Sequence, residues 1–120
     1  MREIKFKGYG KFNNTWYYGL LGKFDGKYYI ECEGGAKPFV EEDSIGQYTG
    51  FADKNGKEIY EGDELLDNFG LCQVVKFNEK TGSWETNEIN DETDQYELYK
   101  YNSMCEVIGN IYEEKLKEDK

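Results

Sequence analysis

Carboxylates are the side chains of this sequence that could perform acid–base or metal chemistry. They form two groups along the chain: Glu58, Glu61, Asp63 and Glu64, and then Asp91, Glu92 and Asp94. A pair of carboxylates can act as general acid and base, or can bind Mg²⁺. Acidic clusters among the turns of a chain with a net charge of -10 are more often solvated than catalytic. We therefore expect no catalytic residues and no enzymatic activity.

Other kinds of catalytic and cofactor chemistry lack the residues that they need. The sequence contains no His, and Cys32, Cys72 and Cys105 are widely spaced. Ser-His-Asp and Cys-His arrangements are thus absent, and a zinc site would have too few ligands. No Gly-rich phosphate-binding loop occurs either. We expect no metal and no cofactor, and we interpret the three Cys as free thiols that pack as small apolar groups.

Tyr residues, eleven in all, point to binding as a different kind of function. Neighbouring strand residues face opposite sides, so Tyr17-Tyr18 and Tyr28-Tyr29 would each present one ring on either face of a sheet. Exposed Tyr rings are frequent anchors of protein interfaces. The candidate interaction surface consists of Tyr17, Tyr18, Tyr28, Tyr29 and, sharing one face of a later strand, Tyr99 and Tyr101. The alternative is that a second sheet or subdomain covers these rings.

Charge is unevenly distributed along the chain. Residues 1–30 contain six basic and two acidic side chains, a net of +4, and the remaining residues carry -14. Such asymmetry can join the basic end of one molecule to the acidic body of another. The acidic body disfavours nucleic acid as a partner, because phosphate binding needs Lys and Arg. Two alternatives remain: the Glu and Asp residues of 85–94 could mimic DNA, or aromatic rings could stack on nucleic-acid bases.

Hydrophobic alternation and turn residues predict many short strands. Asp25-Gly26 and Asn55-Gly56 are hairpin signals, because type I′ turns need positive φ. The predicted strands cover residues 2–7, 15–21, 27–33, 45–51, 58–61, 63–67, 71–77, 83–89, 95–101 and 105–112. The other predicted elements are loops at 8–14 and 90–94, a turn or one helical turn at 39–44, and a short helix or frayed tail at 113–120. This pattern is typical of an all-β barrel or sandwich.

Three segments of the sequence resemble the YopX family of phage and prophage proteins. They are residues 2–7 with the following 14–19, the turn-rich stretch 46–63, and residues 105–113. The resemblance implies an N-terminal β subdomain packed on an SH3-like barrel. The implied domains are residues 1–44, residues 45–112, and a charged tail or short helix at 113–120.

The residues of the resembling motifs are best interpreted as architectural, since several are glycines suited to tight turns or close backbone approach. The candidate structural motif consists of Gly46, Tyr48, Gly50, Asn55, Gly56, Tyr60, Gly62, Asp63 and Gly109.

The resemblance implies a phage origin but no biochemical activity. We expect a non-enzymatic protein-interaction or self-assembly module, whose partner is a second copy of the chain or a host or phage protein. The sequence shows neither a secretory segment nor a transmembrane run. We therefore expect a cytoplasmic location in the bacterial host cell and no membrane partner.

Overall fold

The computed structural model describes residues 3–88 and 91–118, with the backbone alone for residues 91–94. Its strands are β1 (Phe6–Gly10), β2 (Thr15–Phe24), β3 (Lys27–Glu31), β4 (Gly46–Ala52), β5 (Glu58–Tyr60), β6 (Asp63–Asp67), β7 (Cys72–Asn78), β8 (Ser83–Glu88), β9 (Asp91–Glu97) and β10 (Cys105–Asn110). Its helices are α1 (Leu98–Tyr101) and α2 (Ile111–Glu118), with 3-10 turns at Glu42–Ser44 and Asn102–Met104. The predicted all-β class is confirmed. No helix of the described residues is long and apolar enough to cross a membrane.

The chain divides into two compact units, Met1–Tyr48 and Thr49–Lys120. In the first unit the strand order is β3-β2-β1-β4, and all neighbours are antiparallel. The predicted turn at Asp25-Gly26 is present between β2 and β3, with φ of 51° and 78°. These values are those of a type I′ turn, whose twist matches that of the flanking strands.

The prediction of a loop at residues 8–14 is wrong in its first part, because β1 continues to Gly10. The two glycines there permit close packing rather than a turn. A Cβ on Gly8 would lie 2.7 Å from the Val40 side chain, and one on Gly10 would lie 2.8 Å from the Tyr17 ring. Larger residues would force the neighbouring side chains apart, so glycine keeps this strand in the sheet.

The second unit contains the main hydrophobic core. Its main sheet has the order β10-β6-β7-β8-β9. Residues 49–52 of β4 also belong to this unit, where β4 has β5 as its neighbour. The buried core residues are Ile59, Leu65, Val75, Trp84, Leu98, Tyr101 and Cys105. They come from the interior-facing positions of the strands and from α1, which together bring non-adjacent segments of the chain into one cluster.

Two predictions in the second unit are wrong. The predicted strand at 95–101 ends at Glu97, and Leu98–Tyr101 is helical. The helical turn buries both Leu98 and Tyr101, which a strand would point to opposite faces. Residues 91–94 of the predicted loop instead belong to β9, whose backbone pairs with β8; residue 90 lies outside the described part. Pairing with a neighbouring strand here outweighs the low strand propensity of acidic residues.

The last predicted strand is also too long, because β10 ends at Asn110 and α2 begins at Ile111. Asn110 Oδ1 accepts a hydrogen bond from the Glu113 backbone N–H at 2.9 Å, which is the N-terminal capping contact of a helix. The predicted short helix is therefore present and starts earlier than expected. The SH3-like character of the second unit stays a prediction, as do the domain limits drawn from the sequence.

Candidate interaction groove

The turn between β6 and β7 is organised by the carboxylate of Asp67. Its Oδ1 accepts hydrogen bonds from the backbone N–H groups of Phe69 at 2.8 Å and Leu71 at 2.9 Å. Gly70, with φ of 85°, completes the turn and donates its N–H to the Asp67 carbonyl. The backbone is thus fixed while two large apolar side chains remain accessible, since 82% of Phe69 and 41% of Leu71 are exposed.

Tyr101 connects this turn to α1. Its side chain is only 6% exposed, and its hydroxyl donates a hydrogen bond to Asp67 Oδ2. Its ring stacks on the ring of Tyr96, with centroids 5.0 Å apart and planes 11° apart. The two rings and the turn therefore form one connected structure.

The Asp67–Tyr101 pair has fixed protonation states at neutral pH. Burial on its own would raise the pKa of Asp67, but hydrogen bonds from the Tyr101 hydroxyl and from the backbone of Leu71 and Phe69 outweigh it and lower the pKa. Burial raises the pKa of Tyr101, and its bond to Asp67 raises it further. Asp67 is therefore an ionised acceptor and Tyr101 a neutral donor.

A groove of about 640 Å³ opens beside this pair in the second unit. Its apolar walls are formed by the side chains of Phe69, Leu71, Tyr96, Tyr101 and Met104. The volume lies within the range of about 300–1,000 Å³ that is usual for ligand pockets. We call this feature the groove.

Charged side chains border the groove, and most are acidic. Glu85 and Glu97 line it together with Lys100. Lys100 Nζ lies 3.1 Å from Glu97 Oε2, and the hydrogen bond between these two side chains lowers the pKa of Glu97. Residues 49–120 contain 18 acidic and 8 basic side chains, whereas residues 1–48 contain 7 of each. The net charge of -10 therefore belongs entirely to the second unit.

A separate aromatic surface lies in the first unit, near the turn between β2 and β3. Phe12 is fully exposed, Phe24 is 69% exposed and Phe39 is also exposed. Lys27 connects them: it pairs with Phe24 in the β2–β3 register, and its Nζ lies 5.7 Å from the centroid of the Phe39 ring. Lys11 and Phe12 line the same hollow as Lys27 and Phe39. We call Lys11, Phe12, Phe24, Lys27 and Phe39 together the aromatic tip.

The family model described as YopX protein matches residues 5–116. The chain belongs to the YopX protein family. No curated protein matches it.

The candidate Tyr surface includes rings in different environments. Four of its residues belong to the first unit and two to the second. The half-buried ones are Tyr17, Tyr28 and Tyr29, the exposed ones are Tyr18 and Tyr99, and Tyr101 is buried. The expectation that Tyr99 and Tyr101 share one face of a strand is wrong, because both lie in α1. The role of the exposed rings in binding stays a prediction.

The first-unit rings pack against the sheet in three ways. Tyr17 lies opposite Gly8 and Tyr18 opposite Lys7 in the β1–β2 register, so they face opposite sides. The Tyr29 ring lies over Gly22, where a Cβ would come within 2.2 Å of it. The Lys23 ammonium lies 5.0 Å from the centroid of the Tyr28 ring.

The residues of the candidate structural motif make turn and sheet contacts. Gly50, Gly56 and Gly62 have φ values of 87°, 84° and 88°. The Asp63 carboxylate accepts the backbone N–H of Tyr60 at 2.8 Å. The remaining contacts are a hydrogen bond from the Tyr48 N–H to the Lys5 carbonyl, a hydrogen bond from the Asn55 N–H to Asp53, the pairing of Gly46 with Lys7, and the pairing of Gly109 with Glu64.

Sequence reasoning missed Asp53, which organises the turn of the central motif. Its Oδ1 accepts the backbone N–H groups of Asn55 and Lys57, and its Oδ2 accepts that of Val107, all at 2.9 Å. Burial opposes ionisation of Asp53, but these backbone hydrogen bonds prevail and lower its pKa. The turn repeats the arrangement at Asp67. Both begin with Asp three residues before a Gly, which is a recognisable signal for a side-chain-stabilised turn.

Three of the candidate carboxylates, Glu58, Asp63 and Glu64, lie in strands β5 and β6. Asp63 and Glu64 are buried, and Glu58 accepts a hydrogen bond from the Tyr60 hydroxyl at 3.2 Å. Burial, and then the charge of Glu114, raises the pKa of Glu64. Within residues 3–88 and 91–118 no three Asp, Glu or Cys side chains are placed to hold a metal. The side chains of Asp91, Glu92 and Asp94 lie outside the described part.

The three cysteines are free thiols. Cys105 is fully buried, and burial raises its pKa to about 11. Its Sγ donates to the Tyr101 carbonyl at 3.2 Å. Cys32 and Cys72 are half-buried. Cys105 therefore packs as a small apolar group with a weak donor and has little thiolate character at neutral pH.

Proposed function

We propose that this chain is a non-enzymatic, phage- or prophage-encoded protein-interaction module that acts in the bacterial cytoplasm. Its groove binds protein segments in which an apolar side chain is flanked by Lys or Arg. The observation that carries the proposal is the combination of exposed apolar walls, a hydrogen-bonded turn and an acidic border in one surface feature.

The apolar walls supply a driving force for binding. Phe69 and Leu71 expose much of their surface to water, and covering a large apolar side chain stabilises a complex by about 1.5–3 kcal/mol. The turn that carries them is already ordered by Asp67. Binding therefore requires little additional ordering of the backbone, which is the usual cost of using a loop as a contact surface.

The charge around the groove selects the class of partner. Glu85 and Glu97 border it, and Lys100 is engaged with Glu97. Residues 49–120 carry the whole negative charge of the chain. A basic protein segment is attracted to such a surface, whereas the phosphates of a nucleic acid are repelled.

The pKa shifts at the groove favour binding over catalysis. General acid–base catalysis works best with groups whose pKa lies near the working pH. The pKa of Asp67 is lowered and that of Tyr101 is raised, so both move away from neutrality. Their hydrogen bond fits a structural role in holding the groove.

The experiment compares the unmodified chain with a groove variant and a matched control, each used to capture proteins from the lysate of a bacterial host. The groove variant is Phe69→Ser/Leu71→Ser, in which only exposed side chains change and both backbone hydrogen bonds to Asp67 remain available. The control is Ile108→Ser, an exposed apolar residue on β10. Captured proteins are then purified and titrated against all three forms.

We expect a purified partner to bind the unmodified chain and the control with similar affinity, and the groove variant at least ten times more weakly. Binding should survive nuclease treatment. Equal binding to all three forms would contradict the proposed use of the groove. Loss of binding after nuclease treatment would contradict the choice of a protein partner and favour a nucleic acid.

A further inference from the structure

We infer that the chain itself carries a segment of the kind the groove accepts, and that the aromatic tip of one copy binds the groove of a second copy. This inference rests on the proposed function and assigns it a specific occupant. The two surfaces share no residue, because the aromatic tip belongs to the first unit and the groove to the second.

The aromatic tip exposes apolar rings beside cations. Phe12 and Phe24 are the two most exposed of its aromatic residues. In the sequence each directly follows a lysine, as Lys11-Phe12 and Lys23-Phe24. Lys27 lies across the hairpin from Phe24. An exposed ring next to a basic side chain is the chemistry that the walls and border of the groove favour.

The two surfaces are complementary in charge. The lysines of the tip would face Glu85 and Glu97, and residues 1–30 carry a net of +4 against the -10 of the second unit. The tip is not uniformly basic, because Glu41 and Glu42 also line its hollow and Asp25 lies in its turn. Charge therefore favours an orientation in which the hairpin lysines face the groove.

The geometry of such an interface is head-to-tail. Each copy has one tip and one groove, and the two are different surfaces, so the contact is heterologous rather than self-complementary. Heterologous contacts propagate into chains or close into rings. The assembly should therefore grow with protein concentration, and its growth should be stopped by removing either surface.

The test uses two variants that each lack one surface. The tip variant is Phe12→Ser/Phe24→Ser and the groove variant is Phe69→Ser/Leu71→Ser. The control is Ile4→Ser/Ile108→Ser, which removes two exposed apolar side chains elsewhere. Thermal unfolding confirms that each is folded, and analytical ultracentrifugation measures the mass of each alone and of equimolar mixtures.

The unmodified chain and the control should form species larger than a dimer at high concentration, and each surface variant alone should remain monomeric. A mixture of the two variants should form a complex of twice the 14.1 kDa of one chain, because one intact tip meets one intact groove. Added salt should weaken this complex, since the facing charges are exposed.

A monomeric unmodified chain, or a mixture of the two variants that stays monomeric, would overturn the inference. Assembly that persists in either variant alone would do the same. The proposed function would still stand after such results if a purified foreign partner binds the groove variant more weakly than the unmodified chain. If that partner binds both forms with equal affinity, the proposed function fails as well.

Discussion

The hydroxyl of Tyr101 donates a hydrogen bond to Oδ2 of Asp67. Asp67 also holds the backbone of Phe69 and Leu71, and Tyr101 also stacks on Tyr96. One contact between a helix and a turn therefore sets the positions of both walls of the groove.

A double-mutant cycle on Asp67 and Tyr101 should reveal strong coupling. Tyr101→Phe removes the donor and leaves a buried carboxylate with fewer partners, so the free energy of unfolding should fall by about 1–3 kcal/mol. Asp67→Asn should also destabilise the chain, and the double variant should lose less than the sum of the single losses. Urea unfolding gives these values, with Tyr99→Phe as an exposed control that changes stability by less than about 0.5 kcal/mol. Additive losses would show that the pair is not coupled.

The contribution of Asp67 to stability should disappear in acid. Its pKa is lowered in the folded state, whereas an unfolded Asp has a pKa of about 3.9. The unfolded state therefore binds more protons, and the stabilisation is complete above about pH 4 and is lost as the pH falls through the folded value. The pKa of Glu64 is raised in the folded state, so its contribution to stability changes with pH in the opposite direction. This contribution is the same in the unmodified chain and in Asp67→Asn, and it therefore cancels when the two are compared.

The difference in unfolding free energy between the unmodified chain and Asp67→Asn should therefore be constant from about pH 5 to pH 8 and should shrink below about pH 4. Chemical unfolding in a series of buffers measures it. A difference that stays constant down to pH 2 would mean that the ionised carboxylate is not what stabilises the turn.

Thr86→Val should make the chain more stable. Thr86 is fully buried, and its hydroxyl has no hydrogen-bond partner among the described side chains and backbone, so a methyl group removes a desolvation cost of about 1 kcal/mol. Thr49→Val is the matched control, since Thr49 is equally buried but its hydroxyl donates to the Ile59 carbonyl at 2.8 Å and accepts the Phe51 N–H. That change should destabilise by about 1–2 kcal/mol. If thermal unfolding shows both variants shifting the same way, the assigned hydrogen bonding is wrong.

Local turn chemistry made much of this fold predictable. Asp25-Gly26 marks the β2–β3 turn, where both residues adopt positive φ as a type I′ turn needs. Asn55-Gly56 marks the β4–β5 turn, but there Gly56 alone of the two has positive φ, so the turn is not of the expected type I′. Alternating patterns similarly located most strands to within a few residues. These signals lie within a few positions of the chain, so they can be read without knowledge of tertiary contacts.

Features that depend on tertiary contacts were missed. Gly8 continues a strand because Val40 packs against it, and Val40 is distant in the sequence. Tyr101 is buried because Asp67, which lies 34 positions earlier in the sequence, accepts a hydrogen bond from its hydroxyl. The walls of the groove likewise combine Phe69 and Leu71 with Tyr96 from β9. No local pattern shows that these residues meet, so the Tyr-based candidate surface included one core residue and omitted most of the groove.

The most direct test of the central claim is a nuclear magnetic resonance titration of the ¹⁵N-labelled chain with a short synthetic peptide that has a central Phe flanked by lysines. A second peptide with glutamates in place of the lysines is the control. We expect saturable shifts at Phe69, Leu71, Tyr96 and Tyr101 with the basic peptide, much weaker shifts with the acidic one, and none in Phe69→Ser/Leu71→Ser. Equal shifts with both peptides, or shifts confined to residues away from the groove, would contradict that claim.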